Sequence, residues 1–213
     1  MTVMKTGRGL DRLVNFSDAT VAIAITLLIL PLADAAGDIR NHSLAELLTE
    51  HFATLLGFLI SFVVIARFWL GHHQVFEGVE GYTTGILWAN FLWLAGVIFM
   101  PFATNVITIA YGHSAEVMGL YVGTMILITV AMTLIQIQLI RRPGLLRPEA
   151  RGNIDVLNPL SILILLVIVL VVSMLWPEIG VWWLMLLVLV RPVHLLLSRM
   201  AAPRKVPEGP HGE

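Results

Sequence analysis

The 213-residue sequence contains no cysteine, which excludes a disulfide framework, a zinc–thiolate centre and a cysteine nucleophile. Charge is scarce as well. Asp, Glu, Lys and Arg together make up 13% of the residues, against about 25% in an average soluble domain. The motifs of the commoner chemistries are missing too: no TVGYG filter of backbone carbonyls, no phosphate-binding P-loop, no G-x-S-x-G elbow, and no row of basic residues of the kind a voltage sensor carries. An enzyme would need a nucleophile or a metal set, and the sequence assembles neither. The expectation is therefore no catalytic residue, no resident metal and no cofactor. No segment repeats within the chain, so a symmetric assembly would need several copies of it.

What the sequence does have is apolar length. Hydrophobic residues reach 58% and mean hydropathy is +0.88. A hydrocarbon core ~30 Å thick is crossed by about 20 helical residues. Six segments meet that length: Leu13–Leu32, Phe52–Leu70, Thr84–Ala103, Glu116–Ile140, Leu157–Trp176 and Ile179–Leu197. Basic residues alternate with them. Lys5, Arg8 and Arg12, then Arg67, then Arg141, Arg142, Arg147 and Arg151, then Arg191, Arg199, Arg204 and Lys205 fall on one side of six crossings. Only Arg40 falls on the other. The positive-inside rule places the basic side, with both termini, in the cytoplasm.

The expected fold class is thus an all-α membrane protein of six transmembrane helices in the cell membrane. Residues 1–198 form one helical domain, and the Pro- and Gly-rich residues 199–213 a flexible cytoplasmic tail. No cleavable signal peptide is recognised at the start. In the acidic first external loop, Ser43-x-x-Glu46 has the form of a capping box and predicts a short helix leading into the second span. Topology accounts for the basic loops, which imply no nucleic-acid partner.

The first span, RLVNFSDATVAIAITLLILPL from Arg12 to Leu32, is the most informative stretch. At ~100° per residue, Ile23, Leu27 and Leu30 share one face, with Ala19 below and Thr26 at its edge. Asp18 points away from that face. Two readings of the stripe stand side by side: packing against neighbours or lipid, or the lining of a pore. Asp18 lies six residues from Arg12, a spacing unsuited to a same-face pair, so its partners are expected on another helix, from among Arg67, His72 and His73. His72 and His73 are adjacent and point ~100° apart, a poor geometry for two metal ligands; a structural or proton-sensitive role fits them better. Trp69 has the ordinary reading of an interfacial anchor. Asn90, in an apolar run, is expected to hydrogen-bond to a neighbouring helix. Gln136 and Gln138 are expected at the headgroup level.

Arg12-x-x-x-Phe16-Ser17-Asp18 followed by VAIAITLLIL resembles the signature of the transmembrane protein 175 family of potassium channels. SFVVIARFWLGHHQVF, Ser61 to Phe76, is similar to the family's stretch with a tryptophan and paired histidines, and Asn90 with Pro101-Phe102 extends the likeness. It covers the first three helices by motif and the rest by character. The resemblance implies a channel for potassium ions without a carbonyl filter, in which the first helix of each subunit lines a central pore. It implies Ile23 as the constriction, Leu27 and Leu30 as the continuing pore face, and Thr26 as a hydroxyl layer tied to selectivity. Arg12, Phe16, Ser17 and Asp18, with Trp69, His72 and His73, would form a polar network that holds the helix. A single-repeat chain implies a homotetramer in the lipid bilayer. The rival readings are a proton-coupled secondary transporter using Asp18 and the paired histidines, and a non-conducting membrane scaffold.

Overall fold

A computed structural model describes residues 3–4, 7–35, 43–110, 114–152, 155 and 157–201. Helix α1 runs Gly7–Leu27, six residues earlier than its apolar stretch begins. It stops at Leu28–Ile29, and α2 restarts at Leu30–Ala35. Pro31 accounts for the break. It has no N–H to give to the Leu27 carbonyl, and its ring crowds the preceding turn. The chain tightens there through bonds from the Leu28 and Ile29 N–H groups to the Ile25 and Thr26 carbonyls, each 3.3 Å.

The capping box forms. The Ser43 N–H donates to Glu46 Oε2 at 2.8 Å, the Glu46 N–H donates to Ser43 Oγ at 3.3 Å, and α3 follows at Leu44–Glu50. Helices α4 (Phe52–Glu77), α5 (Thr84–Ile109) and α6 (Ala115–Ile140) have 26 residues each, about 39 Å at 1.5 Å per residue. They overrun the hydrocarbon and carry polar residues at their ends. Helix α7 is Leu157–Leu175.

The last expected span is built differently. A 3₁₀ helix, Pro177–Leu189, leads into α8, Val190–Ala201. Gly180, at φ 58°, interrupts the 3₁₀ run in a conformation that favours glycine. Pro192, two residues inside α8, cannot extend the hydrogen-bond ladder back towards the run. One continuous α-helix over 179–197 therefore does not form. Among the described residues five stretches are long and apolar enough to cross a membrane: Gly7–Ala35, α4, α5, α6 and α7. Most of the expected tail, residues 202–213, lies outside the described residues, as does Arg40.

Helices α5 and α6 form the most extensive pairing, and α7 covers α6. Helix α1 lies against α5 and α4. Gly96 on α5 allows the close approach to α6, since a Cβ there would lie 2.5 Å from Ile128 Cγ1. At one end of the bundle the connections knit together. Val3–Met4 (β1) pairs antiparallel with Tyr82–Thr83 (β2), a two-residue ribbon in a fold expected to be all helix. Val79 bridges to Leu146, and the Arg147 N–H donates to the Gly78 carbonyl at 3.0 Å. The α4–α5 and α6–α7 connections thus meet at the same end as β1.

Candidate functional site

Helix α1 has two faces. Leu10, Leu13, Ser17, Val21, Ala24 and Leu28 recur at three- and four-residue spacing and are buried against α4 and α5. Turned away from them, Phe16, Ile23 and Leu27 are 55%, 61% and 40% exposed; Leu30, expected on the same helical face, is 51% exposed but lies beyond the break, as the first residue of α2. Thr26 shares that face, and its hydroxyl donates to the Ile23 carbonyl at 2.8 Å. With its proton turned back to the helix, the Thr26 oxygen presents lone pairs outward.

Ser17 and Asp18 are neighbours ~100° apart on the wheel, so they address different helices. Asp18, half-buried, accepts from Trp69 Nε1 on α4 at 2.8 Å. Ser17, fully buried, meets Asn90 on α5. The order of donors along this chain follows from one proton. Ser17 Oγ donates to the Leu13 carbonyl at 2.9 Å, so towards Asn90 it can only accept, and Asn90 Nδ2 donates to it at 2.9 Å. The Asn90 Oδ1 is then turned to His72 Nε2 at 2.8 Å, which requires the hydrogen on Nε2. His72 Nδ1 is buried with no partner among the described residues. The imidazole lies between two rings, 4.2 Å from Trp93 and 4.3 Å from Phe76 between centroids. His73 stacks on the back of Trp69 at 5.3 Å. Phe16 makes an edge contact with Phe91 at 6.3 Å.

The structure therefore brings together Ser17, Asp18, Trp69, His72 and His73. Phe16 borders the group from the exposed face. Arg12 does not join it. It is exposed, with no hydrogen bond or ion pair to a described residue, because six residues of helix turn it well away from Asp18. Nor does Asp18 hydrogen-bond to Arg67, His72 or His73; its partner is the Trp69 indole. Three members, Asn90, Trp93 and Phe76, lie outside the network that the sequence suggests. Asn90, expected only to bond to some helix, is the hub that joins α1 to α4. Trp93 and Phe76 clamp His72, and their signal was the i, i+4 spacing of 72 and 76 and the i, i+3 spacing of 90 and 93.

A second polar cluster ties α4 to α5 and α6. Thr104 Oγ1 approaches Ser61 Oγ at 2.8 Å, and Ser61 lies 3.0 Å from the Tyr121 hydroxyl. No group of three or more His, Asp or Glu among the described residues is placed to hold a metal ion. Gln136 is buried rather than at the surface, while Gln138 is reached by the Thr83 hydroxyl at 3.5 Å.

The family model described as the endosomal/lysosomal potassium channel TMEM175 matches residues 12–101, the stretch that contains this network. The chain is 32% identical over 133 residues to a potassium channel of Chryseobacterium sp.; the match covers 62% of this chain and 66% of that one, just under two thirds of its length. It is 34% identical over 100 residues to the endosomal/lysosomal proton channel TMEM175 of Gallus gallus, covering 44% of this chain and 20% of the relative. The fold is similar to the crystal structure of a lysosomal potassium-selective channel TMEM175 homolog from Chamaesiphon minutus. That match has a TM-score of 0.60 and 22% identity, and covers 91% of this chain and 96% of the other.

Proposed function

The chain belongs to the TMEM175 family, and from that premise we propose that it is a potassium-permeable channel whose α1 helices line a hydrophobic constriction in a homotetramer. The observation that carries the reading is the pairing of faces on α1. One face is locked to α4 and α5 by Ser17, Asp18, Asn90 and Trp69, and the other holds Ile23 and Leu27 uncovered in the single subunit, with Leu30 exposed just beyond the break, at the start of α2. An apolar ring built from such faces excludes ions by dewetting unless it widens, so Ile23 acts as gate and barrier together. Thr26 supplies weak oxygen sites beside it, since its proton is held by its own helix. Selectivity then rests on dehydration and a few hydroxyl oxygens, and is weaker than in a filter of carbonyls. The subunit crosses the cell membrane six times, the 3₁₀ run and α8 making the last passage, with both termini in the cytoplasm. Arg141, Arg142, Arg147 and Arg151 of the α6–α7 connection, which meets the α4–α5 connection and β1 at one end of the bundle, support that orientation.

Potassium flux from purified protein in liposomes tests the reading, and proton flux is recorded in the same vesicles because one relative is named a proton channel. Non-saturating potassium flux is expected. Ile23→Asn should raise it severalfold and lower the potassium-over-sodium ratio. Unchanged conductance and ratio would remove Ile23 from the gate. Potassium flux that saturates and requires a proton gradient would make the protein a coupled transporter.

A further inference from the structure

Away from α1, a cavity of ≈ 560 Å³ opens among α4, α6, α7 and α8, within the volume range of small-molecule sites. Its walls are apolar: Val63 and Val64 on α4, Met125 and Met132 on α6, Ile162 on α7 and Leu187 before α8. Its polar lining includes Arg67, Gln136 and Asp155. Gln136 is only 6% exposed, and its Oε1 has no partner among the described residues. A buried amide oxygen without a donor is costly unless a ligand supplies one. Arg67, which is exposed, has no hydrogen bond or ion pair to a described residue, although it sits in an apolar helix. Asp155 does not answer that charge. Its Oδ1 accepts the Leu157 N–H at 2.9 Å, and its Oδ2 lies 3.4 Å from His194 Nε2. Leu146 and Ala150 bring the α6–α7 connection to the same cavity.

We propose that this cavity binds an anionic phospholipid with a headgroup hydroxyl, of the phosphatidylglycerol type. The acyl chain lies along the valine, methionine and isoleucine walls, the phosphate meets Arg67, and a hydroxyl donates to Gln136 Oε1. Apolar walls call for a chain, and a guanidinium with no partner among the described residues calls for an anion, the arrangement that draws anionic headgroups to basic pockets between membrane helices. Gly71 keeps the slot open, since it lines the cavity and a Cβ there would meet nothing within 4 Å. The site does not depend on the channel reading.

Native mass spectrometry of the full-length protein in detergent, with phosphatidylglycerol, phosphatidylcholine or oleate added, reads the bound lipid directly and records no flux. Phosphatidylglycerol should be retained at least tenfold more tightly than phosphatidylcholine. Arg67→Gln should abolish that preference. Gly71→Leu should lower retention of phosphatidylglycerol at least tenfold by filling the slot. It should leave the thermal midpoint unchanged or raised, because leucine favours a helix over glycine, so it serves as the well-folded control. Equal retention of the two phospholipids would overturn the proposal, as would unchanged phosphatidylglycerol binding in both variants. Oleate bound as tightly as phosphatidylglycerol would assign the cavity to a free fatty acid instead. A change of subunit number in Arg67→Gln with no lipid adduct on the wild type would assign it to a second copy of the chain.

Discussion

Helix α1 and the α5–α6 pair are held in this bundle by different forces. The α5–α6 contact is apolar and dense: Val97, Met100, Ile128 and Ile135 are fully buried, and Gly96 removes a side chain so that Ile128 can fill its place. Between helices in lipid such contact is stabilised by dispersion, because hydrocarbon outside is as apolar as the interface. Helix α1 buries a narrow stripe and adds directed bonds, Asp18 to Trp69 and Ser17 through Asn90 to His72. Dispersion stabilises a mean position with little preference in rotation. Two hydrogen bonds from adjacent residues to two different helices fix rotation, and rotation decides which side chains α1 presents on its open face. Under the channel reading, the core supplies a rigid frame and the polar lock sets the angle of the pore helix.

Breaking the dense side should have the largest effect. Ile128→Ala leaves a cavity at the Gly96 contact and should lower stability by about 2–5 kcal/mol, read as an earlier unfolding transition on titration with SDS. Helix α1 should stay docked until the whole bundle opens. Asn90→Leu should cost less, about 1–3 kcal/mol, because it removes two hydrogen bonds and leaves His72 Nε2 and Ser17 Oγ without their interhelical partner. Its signature differs in kind. The native chain has no cysteine, so a Val21→Cys probe on the buried face of α1 reports undocking by itself. The probe should react much faster with a thiol reagent in the Asn90→Leu background than with Ile128→Ala. Equal acceleration by both would mean that α1 is held by packing alone.

The smallest effect belongs to α3, which is stabilised at its start by the Ser43–Glu46 box. The bond from the Ser43 N–H, then that with its hydroxyl, hold the Glu46 carboxyl below its ordinary pKa of 4.5. A lowered folded-state value means that the contribution is fully present above the ordinary value and is lost as pH falls through the lowered one. Amide exchange in α3 should therefore quicken, relative to its intrinsic rate, as the pH is taken below 4.5. Glu46→Gln should flatten that dependence, and α1 should not respond over the same range. A parallel response of α1 would join the two elements that the structure keeps apart.

Much of this was legible in the residues because it is local. Spans of 20 or more apolar residues, the Ser43-x-x-Glu46 box and the stripe of Ile23 and Leu27 depend on spacing along one helix. The misreadings arose where partners come from elsewhere. Spacing alone offers Asp18 the charged candidates Arg67, His72 and His73, whereas the family resemblance also names Trp69, and it is the Trp69 indole N–H on α4 that reaches it at 2.8 Å. The family resemblance puts Arg12 with Ser17 and Asp18, but rotation along the helix separates it from them, as its six-residue spacing from Asp18 implies. Gln136 was expected at the headgroups and is instead buried beside a cavity shared by α4, α6, α7 and α8. Only the assembled elements create that cavity.

The sequence alone determined that the chain belongs in a bilayer and how its apolar stretches are spaced, and it held the family signature in α1. Those properties follow from transfer of side chains out of water and from helical period, which need no partner. The tertiary structure decided that Asn90 passes a hydrogen bond between Ser17 and His72, and which face of α1 is left uncovered. These depend on where a second and a third helix stand, because a buried polar group takes its meaning from the group that answers it.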